Sequence, residues 1–293
     1  KLASQFKQFP NICLVISCRS DYRPICVPEQ LALFIEIEHH GFGESVGDAA
    51  KIYLDKHGIE RPSAPIFGLE MEFNNPLFLS TCVKAIKNEG KSIFPSEIDS
   101  FPKLLKYWLG SIEANLVRRG FKRVQKGDGK LEKIIFALAE EMTLNLTEYV
   151  PFEKANAICE KVVALSTPST EEEKTINHLL SEGVLIDRIS FDGKEREITF
   201  TFQKFTDYFL ADAIIRLHET RENLANSLKN GGDFSGIFDR KDESFYFWSG
   251  LRQALLSLIP LNFDCEPTDL VPKFYEIVEI PISDYLSSIP WRK

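Results

Sequence analysis

The sequence predicts a mainly α chain with small β elements, and three observations carry that expectation. Apolar residues recur at three- and four-residue spacing over much of the chain beyond residue 76, the period of amphipathic helices. An Asp192-Gly193 pair separates two runs of strand character, residues 184–191 and the alternating Ile198, Phe200 and Phe202, which signals a β-hairpin. Near the start, five consecutive apolar residues, 12–16, stop at Ser17, Cys18, Arg19, Ser20 and Asp21. A run of that length between polar neighbours reads as a strand buried on both faces.

Composition bounds the function classes. The 293 residues allow about two domains, and 44% hydrophobic content is enough to bury a core. A net charge of -8 argues against broad nucleic-acid or membrane-surface binding, although a local patch of either kind remains compatible with it. The six cysteines, at 13, 18, 26, 82, 159 and 265, form no Cys-x-x-Cys pair and several lie in apolar runs. Reduced thiols in a cytoplasmic protein are expected, rather than a disulfide framework or a zinc site. No apolar stretch approaches the roughly 20 residues of a membrane span. The sequence opens just ahead of a core strand with nothing earlier to pair with it, and a lone strand is not stable, so a piece of a longer protein is expected.

Taken in order, the first strand delivers Arg19 to its carboxyl end, where parallel strands carry ligand chemistry and a fork-shaped, always-charged guanidinium suits a phosphate. A surface arginine at a strand end is the plainer alternative. Prolines 24 and 28 mark a loop, residues 31–37 a second strand, and 39–43 a turn. A short helix over 48–57 places Ala49, Ile52 and Tyr53 on one face. Gly43-Glu44-Ser45-Val46-Gly47 matches G-x-S-x-G, but that elbow needs a strand running straight into the serine, and Glu38, His39 and His40 intervene. Residues 62–65 read as a linker and 66–73 as a helical turn.

Pro76 suits the first position of a helix, where a missing N–H costs nothing; that helix runs to about Lys87 and buries Leu79, Val83 and Ile86. A sharper reading gives the Pro76 ring a planar ligand to pack on. Residues 101–119 form another amphipathic helix through Leu104, Leu105, Trp108, Ile112 and Leu116. The basic run Arg118, Arg119, Lys122, Arg123, Lys126 and Lys130 reads as a solvated connector. Gly129-Lys130 is not a phosphate loop, since Val124 and Leu131 occupy its first and last key positions.

From Asp128 onward the pattern sharpens. Leu131, Ile134, Ile135, Leu138 and Met142 keep helical spacing, and so do Phe152, Ala155, Ile158, Cys159 and Val162. Ser169 and Thr170 stand three residues before Glu172 and Glu173, a capping-box signature, and Gly183 closes the next helix. The hairpin comes after it, then a helix through Phe205, Phe209 and Leu217. Three helices, a hairpin and a helix make a winged-helix domain. Such domains often dock their third helix in DNA, but here that helix opens on three glutamates, 171–173, which phosphates would repel. Residues 230–236 read as a Gly-rich linker and 245–258 as a helix ended by Pro260; the remainder resembles the opening of a helical-repeat region.

The strand ending Ser17-Cys18-Arg19-Ser20, the His40-Gly41-Phe42 turn, the Asn75-Pro76-Leu77-Phe78-Leu79 helix start and the winged helix come in the order of STAND NTPases. More closely, the chain resembles the central part of bacterial antiviral STAND proteins, the Avs group. Further echoes are Ser181-Glu182-Gly183-Val184-Leu185, Phe200-Thr201-Phe202-Gln203-Lys204-Phe205-Thr206-Asp207-Tyr208 and Ser287-Ser288-Ile289-Pro290-Trp291-Arg292. The resemblance covers nearly the whole chain and rests on the order of individually weak motifs.

The resemblance implies four parts: the C-terminal part of a P-loop α/β NTPase core (1–43), a helical lid (44–122), the winged helix (123–220) and the start of a helical-repeat sensor (221–293). It implies that Arg19 reads a nucleotide phosphate and that Pro76 packs on adenine. Relatives often place a phosphate-contacting His at the start of the last winged-helix helix; here Gln203 either substitutes for it or that contact is absent. The implied cofactor is ATP, with the phosphate loop and the Mg²⁺ ligands upstream of Lys1, so no catalytic or metal-binding residue is assigned. The implied function is the regulatory centre of an antiviral switch. A phage protein is sensed by downstream repeats, the protein homo-oligomerises and an effector is turned on, with no membrane and no direct nucleic-acid contact. The alternative is a winged-helix interaction or DNA-binding module unrelated to ATP.

Overall fold

The computed structural model describes residues 41–60, 73, 76–96, 98, 100–121, 127–163, 174–190, 193–229, 231–238 and 248–271, with isolated positions 11, 15 and 37. The chain divides into two units, Lys1–His39 with Glu276–Lys293, and His40–Tyr275. Every described helix and strand lies in the second. Of the expected strands at 12–16 and 31–37 only Val15 and Ile37 are described, and both are exposed and in no strand, against the burial expected of them. The linker at 62–65 and the capping box at 169–173 fall outside the described residues.

The second unit is mainly helical with one small antiparallel sheet. A 3-10 turn, Gly43–Ser45, leads into helix α1, Val46–Lys56. Its buried face is Ala50 and Leu54, one residue round from the expected one, and Ile52 is exposed. The reason lies just beyond the helix. Gly58 turns with φ 65, and the Ile59 N–H returns to the Leu54 carbonyl at 2.9 Å, folding buried Ile59 onto the Leu54 side. Glu60 then bridges to Ser92 and Phe94, fastening α1 to the end of the next helix.

Helix α2, Pro76–Asn88, begins at the proline as expected and buries Phe78, Leu79, Cys82, Val83, Ala85 and Ile86. It packs on α3, Phe101–Arg118, whose expected apolar face is buried throughout. Gly120 closes α3 at φ 83, and the Phe121 N–H reaches back to Leu116 O at 3.0 Å.

Helix α4, Lys130–Leu144, leads to the two-residue strand β1, Val150–Pro151, and then to α5, Phe152–Val163. Helix α6, Thr175–Ser181, ends as the glycine foretells. Gly183 has φ 71, its N–H bonds Leu180 O, and the N–H of buried Val184 bonds Leu179 O at 3.0 Å. Strands β2, Leu185–Ile189, and β3, Arg196–Phe200, form the hairpin, with Leu185 opposite Phe200 and Ile189 opposite Arg196. The sheet order is β1-β3-β2. Strand β1 escapes sequence reading because it is so short, and Pro151, with no N–H, can add little to a ladder. Phe202 belongs to no strand; it precedes the first turn of α7, Gln203–Leu217.

Helix α7 is the centre of the unit. It is buried nearly all round from Phe205 to Ile215, packed on α4, on the sheet and on α9, Ser249–Phe263. Helix α8, Arg221–Leu228, is capped by Thr220, whose hydroxyl accepts from the Asn223 N–H. The glycine-marked stretch after it is a packed turn and not a linker: Phe234 and Ile237 are buried, and a Cβ at Gly232 would lie 2.3 Å from the Asn226 carbonyl oxygen. Helix α9 runs through Pro260 for one more turn before α10, Pro267–Leu270. A proline removes a bond to the preceding turn but still offers its carbonyl, which here accepts from the Asp264 N–H at 3.2 Å.

Candidate functional site

Of the three site residues named from the sequence, Arg19 lies outside the described residues. Pro76 and Gln203 each open a helix, α2 and α7. Rings join those two helix starts. Phe78, two residues into α2 from Pro76, stacks on Phe101 at 5.6 Å between centroids. Phe101 in turn meets Phe205, two residues into α7 from Gln203, at 6.0 Å and Tyr208 at 5.3 Å. Trp108 of α3 adds a 4.8 Å contact with Phe205. Offset and edge-on aromatic contacts of this kind hold elements together beyond the area they bury.

Pro76 is exposed at the head of α2. Gln203 is half-buried and committed: its Nε2 donates to Glu148 Oε1 at 2.6 Å and to Asp207 Oδ1 at 3.2 Å. An amide nitrogen has two donors, so both are used, and the amide orientation is fixed because both partners are carboxylates. A phosphate approaching this amide would also meet two carboxylates.

Glu148 is held in place by its loop. The C-terminus of α4 closes with Leu146 in a left-handed conformation, φ 47, its N–H bonding Thr143 O and that of Thr147 bonding Met142 O. Thr147 Oγ1 then donates to the Tyr149 carbonyl at 2.8 Å. Asp207 is buried and lies against the first turn of α9 at Gly250. Further along α7, burial pushes the Asp212 carboxyl above its usual range, opposed by Arg216 at 2.5 Å, and pushes the neighbouring Tyr208 hydroxyl up to about 12.

Two more buried carboxylates tie α3 to the hairpin-bearing part of the chain. Glu113 accepts the Leu131 N–H at 3.2 Å and the Gly127 N–H at 3.3 Å, so a side chain of α3 caps the first turn of α4. Burial pushes this carboxyl up, the two N–H donors pull it down, and nearby Asp128 and Glu132 add to the rise. Glu182, between α6 and β2, accepts from Asn115 Nδ2 at 2.9 Å and from Arg119. The Phe121 ring packs on His178 of α6 at 4.2 Å. The hairpin arginines are likewise engaged: Arg188 with Glu197 directly across the ladder, Arg196 with Asp187.

Among the described residues no group of His, Cys, Asp and Glu is arranged to hold a metal. Ser45 is exposed and entered from a 3-10 turn, not a strand, so the elbow geometry of a serine hydrolase is not met there. Cys82 and Cys159 are free and buried, and burial pushes both thiols up to about 12. No described helix is long and apolar enough to cross a membrane. No family model, curated protein or solved structure matches the chain.

Proposed function

We propose that this chain is the regulatory centre of a STAND-class NTPase of the bacterial antiviral group, and that residues 123–220 are its winged helix. The supporting observation is the order α4-β1-α5-α6-β2-β3-α7 with sheet order β1-β3-β2, coming directly after the α2–α3 pair and joined to it through Phe101. In this reading ATP, with Mg²⁺ held by upstream residues, is bound between a P-loop core and the α1–α3 lid, with Arg19 at its phosphates and Pro76 at its base. The bound nucleotide holds the winged helix in one orientation. A phage protein recognised by downstream helical repeats shifts that balance, and the protein assembles with copies of itself to switch on an effector. Gln203 is a strut between Glu148 and Asp207 rather than a phosphate donor.

A DNA-binding role for the same fold is disfavoured by α6. Its Glu182 end is bound to α3, its His178 is covered by Phe121, and the hairpin arginines face carboxylates. The test is the complete open reading frame. A G-x-x-x-x-G-K-[ST] motif ahead of Lys1 is expected, and Arg19→Ala in that full protein should abolish phage protection while leaving its melting temperature unchanged. An upstream sequence with no phosphate loop would overturn the reading.

A further inference from the structure

Helix α3 meets the hairpin-bearing part of the chain at two chemically different ends, with Glu113 between them on the first turn of α4. Its first half makes an aromatic contact, Phe101 and Trp108 against Phe205 and Tyr208 of α7, with the Lys204 ammonium over the Phe101 ring at 5.2 Å. Its last turns make a mainly polar one, with the Phe121 ring on His178 just beyond. Asn115 and Arg119 both donate to Glu182, and Lys84 of α2 donates to the Glu182 backbone carbonyl at 3.4 Å. Three side chains from α2 and the end of α3 thus converge on one residue, at the corner where α6 gives way to β2. That corner is itself rigid: Gly183 closes the helix, and Thr201 Oγ1 binds the Gly183 carbonyl at 2.7 Å.

The Glu182 side chain is 4% exposed and the Arg119 side chain 58%. A buried carboxylate loses its hydration and needs its partners to offset the cost, so removing a partner costs more than the pair itself adds. Because the guanidinium stays in solvent, the pair is open to screening by salt, whereas the buried Trp108–Phe205 contact is not.

We propose that Glu182 is a charge-dependent clasp that registers the α6–β2 corner on α3, and that this end of the contact opens while the Phe101 end stays closed. The inference deepens the proposed regulatory reading, since it names where the lid-like helices and the hairpin-bearing part are coupled. Its test uses no nucleotide, so its failure and that of the ATPase reading are separable.

The experiment is hydrogen–deuterium exchange of the whole chain, comparing wild type, Glu182→Gln and Arg119→Ala. Both variants should raise exchange of amides 116–121 and 182–184 by about tenfold, with the α7 amides of residues 207–215 unchanged, as expected for a local opening. Raising the salt should act in the same direction on wild type and have little further effect on Arg119→Ala. Equal loss of protection in α7, or no change at 116–121 and 182–184, would overturn the clasp. Should Glu182→Gln fail to fold, Arg119→Ala, whose change lies at the exposed partner, decides alone.

Discussion

Gly250 stands so close to Asp207 that a Cβ on it would lie 2.0 Å from the carboxylate oxygen Oδ2. The second residue of α9 and a buried acid of α7 therefore share a space that a methyl group enters only if the Asp207 carboxylate shifts. Alanine is normally favoured over glycine within a helix by up to about 1 kcal/mol. Here the crowding should reverse the sign, and Gly250→Ala is expected to destabilise by about 1–3 kcal/mol. Urea denaturation would show it. Adding Asp207→Ala should make the double variant lose less than the sum of the single losses, because the two changes act on one contact.

Leu146 offers the opposite case. It is exposed, with φ 47, at the position where a helix ending usually carries glycine. A left-handed conformation costs a residue with a Cβ about 1–2 kcal/mol, while glycine loses more chain entropy on folding. Leu146→Gly should therefore stabilise the chain by about 0.5–1 kcal/mol, read as a higher denaturant midpoint with an unchanged slope.

Much of this fold was legible because local signals agreed with tertiary ones. Pro76 starts a helix, Gly183 ends one, and Gly193, at φ 76, turns between paired strands. Two local signals misled for definable reasons. Pro260 stops no helix because its carbonyl still serves the next turn. After α8, Gly231 supplies a left-handed turn, φ 86, while Gly232 allows close approach to the Asn226 carbonyl, so the stretch packs rather than links. The polar interior was harder to read. Glu113 shows a trace in sequence, as an acid four residues from Leu109 on the buried stripe, and Asp207 stands one helical turn from Gln203. Glu148 and Glu182 have no such mark, because their importance comes from residues 55 and 63–67 positions away along the chain. Arg19, on which the nucleotide reading leans most, lies outside the described residues.

Glu113 makes a pH prediction whose sign is set by its surroundings. Burial raises its carboxyl above the ordinary range, so the folded state holds that proton more tightly than the unfolded chain. The group's contribution is then most favourable below the ordinary carboxylate range and is lost as pH rises through the raised value. Glu113→Gln removes this dependence while keeping one acceptor for the Leu131 or Gly127 N–H. Thermal melts from pH 4 upward, a range chosen to start near the reference carboxylate pKa of about 4.3, should show wild type losing ground to the variant as pH rises. Glu113→Ala leaves both N–H donors without their acceptor and should cost about 1–3 kcal/mol across the same range.

Gln203 supplies the most direct probe of the α7 start. Its amide lies between Glu148 and Asp207 and is the neutral donor that lets two carboxylates share one corner. Gln203→Glu keeps the shape and removes both donors, so three acids would face one another. The expected loss at neutral pH is about 2–4 kcal/mol, since both carboxylates lose the amide donor and like charges are added. Acid should relieve it, because protonating one of the three restores an O–H donor between the others. Gln203→Ala should cost less than Gln203→Glu at neutral pH, with the order narrowing or reversing near pH 4, close to where free carboxylates take up protons at about 4. Equal losses for both variants at every pH would mean that the amide fills space and that its bonds to the two acids contribute nothing.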